Sequence, residues 1–193
     1  MNTAKSGSGL ASPKNVLQFL HVVENLKKTP RTGWVKRQVA QPESIADHMY
    51  RMSLMSLLMD GSDEYNYMHC IKLSIVHDLA ECIVGDITPT CGVSDGDKHA
   101  MEAKAMDDIG NILGDCAAKD HIQALWREYE AGETPEAKLV KDFDKFEMIV
   151  QAHEYEQAQG AELQEFFDST AGKWRTPVGE ALAAALYSER GKE

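Results

Sequence analysis

Apolar residues in this chain recur at steps of three and four, and no stretch of useful length alternates apolar with polar, so the backbone is confined to helices packed on helices. The fold class expected is all-α. Between Lys14 and Lys28 the apolar stripe is Val16, Phe19, Leu20, Val23 and Leu26, ended by Thr29-Pro30. A polar stretch from Arg31 to Glu43, holding Gly33, Pro42 and the cations Arg31, Lys36 and Arg37, reads as a loop. Ser44, with Asp47 three residues on, opens a second helix that Asp60-Gly61 closes. A third helix is expected to run unbroken from Tyr65 or Asn66 to about Val84, where Gly85 supplies a stop. Two amphipathic helices follow, one carrying Met101, Ala105, Ile109 and Ile112, the other Ile122, Leu125, Trp126 and Tyr129. Thr134-Pro135 starts a long helix through Leu139, Val140, Phe143, Phe146, Ile149 and Val150 as far as Gln159. Past Gly160 come a short segment, Leu163 to Phe167, and a last helix beginning near Pro177.

With 193 residues, 43% of them hydrophobic, the chain supports one domain with a substantial core, expected over 15–190 behind a disordered tail, 1–14. No apolar run approaches the ~18 residues of a membrane-spanning helix. Twenty Lys and Arg against 31 Asp and Glu leave a formal charge of −11, which argues against a surface that tracks a nucleic-acid backbone or an anionic bilayer. Any anionic ligand must then be held by a metal or by a small basic patch. Cys70, Cys82, Cys91 and Cys116 match no zinc or disulfide spacing, so reduced thiols in a cytoplasmic protein are the simplest reading. The Ser-rich, acid-free start leaves an organelle address open.

Chemistry enters with the second and third helices. His48 falls within the stripe of Ile45, Met52, Met55 and Met59 and should point inward. Alone, such a histidine is more often a hydrogen-bonded core residue than a ligand. The third helix places Met68, Ile71, Ile75, Val76, Leu79 and Ile83 on one broad side and should be largely buried, leaving a wedge of His77, Asp78 and Glu81. Burying three ionisable groups unpaired is costly, and a divalent metal explains them economically. The plainer reading is a structural His-Asp pair with Glu81 at the surface. On the long helix Asp142, Asp144 and Glu147 all flank the apolar stripe, and periodicity does not choose among them.

His48, then adjacent His77-Asp78, then an aspartate on a later helix, is the ordered pattern of the HD-domain metal-dependent phosphohydrolases. The segments QPESIADHMYRM (41–52), VHDLAECIVGDI (76–87), LVKDFDKFEMI (139–149) and DSTAGK (168–173) resemble the HD domain-containing protein 2 group, itself similar to bacterial 5′-deoxynucleotidases. The resemblance runs from about Val16 to Thr176. It implies His48, His77, Asp78 and Asp144 as metal ligands, the Val-Lys-x-x-Asp register selecting Asp144 and leaving Asp142 a bystander. Two imidazoles and two carboxylates suit Mn²⁺, Co²⁺, Mg²⁺ or Fe²⁺. Glu81 and Asp86, with the Ile87 carbonyl, match positions for a second ion. Glu81 is also the expected catalytic proton-transfer group.

The implied reaction removes phosphate from a deoxynucleoside 5′-monophosphate, with Trp34 against the sugar or base or, as the alternative, a hydrophobic plug. The bacterial enzymes carry an arginine immediately before that tryptophan; here the residue is Gly33, so Arg31 or Arg37 becomes the expected phosphate binder. A homodimer is implied by the resemblance alone. The rival readings are an HD-type phosphoesterase acting on a cyclic nucleotide, alarmone or nucleoside triphosphate, and a non-catalytic helical metal-binding module.

Overall fold

The computed structural model describes residues 9–191. Among them the elements are α1 (Pro13–Lys28), α2 (Thr32–Lys36), α3 (Ile45–Leu57), α4 (Tyr67–Val76), α5 (Glu81–Val84), a 3-10 turn (Pro89–Cys91), α6 (Asp95–Leu113), α7 (Ala117–Ala131), α8 (Pro135–Gln159), α9 (Gln164–Thr170) and α10 (Pro177–Arg190). The described residues form no strand; the one extended contact is an isolated antiparallel bridge between Pro30 and Ser44, which closes the loop carrying α2. The expected all-α class holds.

The starts of the helices follow local chemistry. Ser12, Asn66, Ser94, Thr134 and Thr176 each accept a first-turn backbone N–H. Ser44 and Asp47 form the reciprocal capping box at α3. The long helix α8 runs from Pro135 to a left-handed Gly160, as its periodicity requires.

Helices α3, α4 and α8 pack together as the centre, with α1 and α7 alongside and α9 and α10 against α8. Two apolar clusters line up along α8. Leu139, Val140 and Phe143 belong to the larger one with Ile45, Met52, Leu73 and Ile109, while Ile149, Ala152 and Tyr155 join Trp34, Leu163 and Phe167 in the smaller. Asp144 and Glu147 lie in sequence between the two apolar sets, at the junction where a polar site can be walled by both.

Three expectations need correction. Residues 1–8 of the expected tail lie outside the described residues, but Ala11 packs on the core and Asn15 Nδ2 donates to Leu113 O at 3.0 Å, so α1 docks two residues earlier than the boundary at 15. The loop from Arg31 to Glu43 contains α2, a helix of five residues and too short to show a period. The third helix is not continuous. α4 ends at Val76, and Leu79 N to Val76 O (3.0 Å) and Glu81 N to Asp78 O (3.0 Å) tighten the chain into i,i+3 turns before α5. The inward face of α4 is Cys70, Leu73, Ser74 and His77, whose two polar members hide it from an apolar periodicity. Met68, Ile75 and Ile83, expected inside, are 48%, 52% and 43% exposed.

Candidate metal centre

The site is assembled by three segments. α3 brings His48, fully buried; the break after α4 brings His77 and Asp78, with Glu81 opening α5; α8 brings Asp144. Their side chains converge. His77 Nε2 lies 3.1 Å from Asp78 Oδ2, His48 Nε2 lies 3.3 Å from Asp144 Oδ1 and 4.0 Å from Asp78 Oδ2, and the two imidazole rings are 5.4 Å apart. His48 Nε2, His77 Nε2 and Glu81 Oε2 are buried without a properly aligned hydrogen-bond partner. Unsatisfied buried polar atoms of this kind are rare, and the two imidazole nitrogens, which belong to one group of converging ligand atoms with Asp78, fit a ligand that takes lone pairs.

The remaining polar atoms are held. His77 Nδ1 is 2.9 Å from Ser74 O, the Tyr129 hydroxyl donates to Asp144 Oδ2 at 3.0 Å, and Arg31 Nη1 donates to Asp78 Oδ2 at 3.2 Å while its Nη2 reaches to 4.0 Å from Asp144. Arg31 is thus the local cation. Burial opposes its charge, and Asp78, Asp86, Asp144 and Glu81 outweigh that and raise its pKa. Burial likewise opposes the charge on Asp78, but His77 and Arg31 hold it down to about 2; Asp144 is held low mainly by His48. His48 goes the other way: against burial and Arg31, Glu147 and Asp144 raise it to about 9. Burial, then Asp78 and Asp86, pushes Glu81 up to about 10. The two unpartnered imidazole nitrogens and the ionised Asp78 and Asp144 make a mixed nitrogen and oxygen donor set that fits a divalent ion.

The other expected residues are distributed unevenly. Asp86 Oδ2 accepts from Thr32 N at 2.6 Å and Thr32 Oγ1 donates to Asp86 O at 2.8 Å, tying this loop to the start of α2; Ile87 is buried. Neither joins the His48, His77 and Asp78 group, whose ligand atoms all lie within 4.8 Å of one another; Asp144 adjoins that group through His48, and on the other side of the His48 ring Glu43, His48 and Glu147 form a second such group. Trp34, expected to face substrate, is 1% exposed: its Nε1 donates to Glu43 Oε1 at 2.9 Å and its ring packs on Tyr155 and Phe166. This is the plug geometry. Gly33 sits under Phe166, where a Cβ would lie 3.2 Å from the ring, so a side chain here would need the ring to give by a few tenths of an ångström. Arg37 pairs with Glu165 at the surface. Asp142 is no bystander to the fold, for it is fully buried and accepts from Arg175 N, Thr176 N and Thr176 Oγ1, with Lys145 Nζ at 2.9 Å.

Residue-by-residue reading left Glu147 undecided and passed over Arg51 and Tyr129. Glu147 Oε2 is 2.5 Å from His48 Nδ1, and Arg51 Nε donates to Glu147 Oε1 at 2.7 Å. The available signal was spacing: Arg51 is three residues after His48 and Glu147 three after Asp144, which puts each beside a ligand on the same helix face.

The HD domain family model matches residues 23–185. A Danio rerio protein named 5′-deoxynucleotidase HDDC2 is 52% identical over 180 residues, 92% of this chain and 89% of its own length. The Homo sapiens protein of the same name is 46% identical over 96% of this chain and 89% of its own. Among solved structures, the PH0347 protein from Pyrococcus horikoshii superposes with a TM-score of 0.73 at 31% identity, covering 89% of this chain and 96% of that one. With His48 and the His77-Asp78 pair converging in three dimensions and the match spanning most of its length, this chain belongs to the HD domain family.

Proposed function

We propose that this protein is a metal-dependent phosphomonoesterase that hydrolyses deoxynucleoside 5′-monophosphates to deoxynucleosides and inorganic phosphate. The observation that carries the reading is the pair of buried, unpartnered Nε2 atoms of His48 and His77 beside Asp78 and Asp144. The substrate class is supported by relatives at about half identity that bear the name 5′-deoxynucleotidase.

His48, His77, Asp78 and Asp144 would hold the divalent ion, with Mn²⁺, Co²⁺ and Mg²⁺ the candidates for a mixed nitrogen and oxygen set. When bound, such an ion neutralises phosphate charge and makes water more acidic. Arg31, already between two ligand carboxylates, is the guanidinium best sited to meet the phosphate; Arg37 is engaged by Glu165. Glu81, with Oε2 free and buried, is the group to hold or pass the proton lost from water or gained by the 5′ oxygen. The place we propose for the nucleoside is a cleft of about 500 Å³ lined by Gly33, Thr88, Lys145, Phe166 and the Arg37–Glu165 pair. Three of these are close in sequence to Arg31, Asp86 and Asp144. Its size falls in the range of small-molecule sites.

A second copy of the chain is the partner we propose for the apolar face of α1, α3 and α4, where Leu20, Tyr50, Leu54, Leu57 and Ile75 are exposed around a groove of about 650 Å³. Light scattering should give a dimer mass that Ile75→Asp halves; a monomer in the parent protein contradicts it. No helix among the described residues is long and apolar enough to cross a membrane. A cytoplasmic setting is our reading of the four unpaired cysteines.

The reaction is tested by product analysis on a panel of deoxy- and ribonucleotides with Mn²⁺ or Co²⁺. Free phosphate and deoxynucleoside are expected. Ring opening of a cyclic nucleotide or pyrophosphate release, with monophosphates untouched, would replace this reading with a rival one.

A further inference from the structure

A ligating imidazole must offer a lone pair at one nitrogen and keep its proton on the other. His48 is fully buried, and its two nitrogens face opposite walls: Nε2 toward Asp144 and Asp78, Nδ1 toward Glu147 Oε2 at 2.5 Å. Were the proton on Nε2, it would point at Asp144 Oδ1, 3.3 Å away, and the lone pair on Nδ1 would meet the Glu147 carboxylate. Placing the proton on Nδ1 makes the Glu147 contact a donated hydrogen bond and leaves the Nε2 lone pair facing Asp144 and Asp78, an arrangement that is favourable once a cation lies between them.

Glu147 is itself fixed. It is 1% exposed, and its second oxygen accepts from Arg51, whose other guanidinium nitrogens are held by Glu154 and Gln151 at 2.8 Å each. The chain Arg51, Glu147, His48 therefore crosses from α3 to α8 and back, one helical turn from the ligand nitrogen.

We propose that Glu147 is a positioning residue that never touches the ion: with Arg51 behind it, it commits His48 to the Nδ1–H tautomer and so leaves Nε2 free to ligate. The inference rests on the metal-centre reading above. Carboxylates behind metal-bound histidines typically change metal affinity by roughly 10- to 100-fold.

The test is calorimetric titration of Mn²⁺ into the full chain and its Glu147→Gln, Arg51→Gln and Asp78→Ala variants, with circular dichroism as the check on folding. Alongside it, imidazole proton spectra are recorded on Mg²⁺- or Zn²⁺-loaded protein. Glu147→Gln should weaken Mn²⁺ binding roughly 10- to 100-fold and move the downfield His48 Nδ1–H resonance upfield. Arg51→Gln should shift both in the same direction by less, and decides the matter if Glu147→Gln does not fold. Unchanged binding and an unchanged resonance would overturn the proposal while leaving the centre intact. Loss of binding as complete as in Asp78→Ala would also overturn it, by making Glu147 a ligand. Failure of the parent chain to bind Mn²⁺ would remove the centre itself.

Discussion

The two histidines of the centre are supported in opposite ways. On the side built by α3 and α8, the outer nitrogen of His48 faces a charged carboxylate backed by Arg51; on the side built by the break between α4 and α5, the outer nitrogen of His77 faces a neutral backbone carbonyl, Ser74 O. Side-chain chemistry orients the first. Backbone geometry orients the second. The α3 and α8 half should therefore be tunable by substitutions behind the ligands, whereas the α4 and α5 half should respond chiefly to changes in the ligands themselves or in the turn that carries them.

The largest effect is expected at that second half. Asp78→Ala removes a carboxylate that touches His77 and Arg31, and should abolish both metal retention and turnover; metal analysis of the purified variant together with phosphate release checks this. Retention of a full equivalent of metal would break the comparison. Next is Glu81, in the same half but with its Oε2 unengaged. Glu81→Gln should keep most of the metal while turnover falls on the order of 10²- to 10⁴-fold, the usual contribution of a general acid or base. Metal content dropping as steeply as in Asp78→Ala would make Glu81 a ligand.

A third substitution separates structure from chemistry on α8. Asp142 and Asp144 are two residues apart, yet Asp142 faces Arg175 and Thr176 at the start of α10, while Asp144 faces His48 and Tyr129. Asp142→Ala strips a fully buried acceptor from Lys145 and two backbone amides, and should cost about 3–5 kcal/mol in denaturant unfolding. Metal bound per folded molecule should not change.

How much of this was legible varies from helix to helix. The all-α class, the α3 capping box and the extent of α8 follow from period and caps. His48, His77, Asp78 and Asp144 were singled out by resemblance to an ordered His, His-Asp, Asp pattern, since period alone does not choose Asp144 over Asp142 or Glu147. The break after Val76 was not, since the inward face of α4 carries Ser74 and His77 among Cys70 and Leu73, and an apolar count turns the helix the wrong way. Trp34 stayed open between a substrate-facing ring and a plug because two of the groups that enclose it, Tyr155 and Phe166, are more than a hundred residues away along the chain. Asp142 looked idle because its donors arrive from residues 175 and 176.

The smallest expected effect lies outside the centre. Cys91 is exposed, and hydrogen bonds from Thr88 and Lys36 lower its thiol pKa, whereas burial pushes Cys70 up to about 12 and Cys82 to about 11. A lower pKa means more thiolate at a given pH, so Cys91 should be alkylated first, with little change in turnover. Mass mapping after brief iodoacetamide treatment at neutral pH reads this directly; equal labelling of Cys70 would mean that the α4 half opens far more readily than its packing implies.

The central claim is that four side chains from three segments meet on one divalent ion. A crystal of the full chain grown with Mn²⁺ and measured near the manganese absorption edge tests it most directly. The account predicts an anomalous peak within coordinating distance of His48 Nε2, His77 Nε2, Asp78 and Asp144, with Glu147 on the far side of the His48 ring. A peak between Glu43 and Glu147, or none near the His77-Asp78 pair, would contradict it.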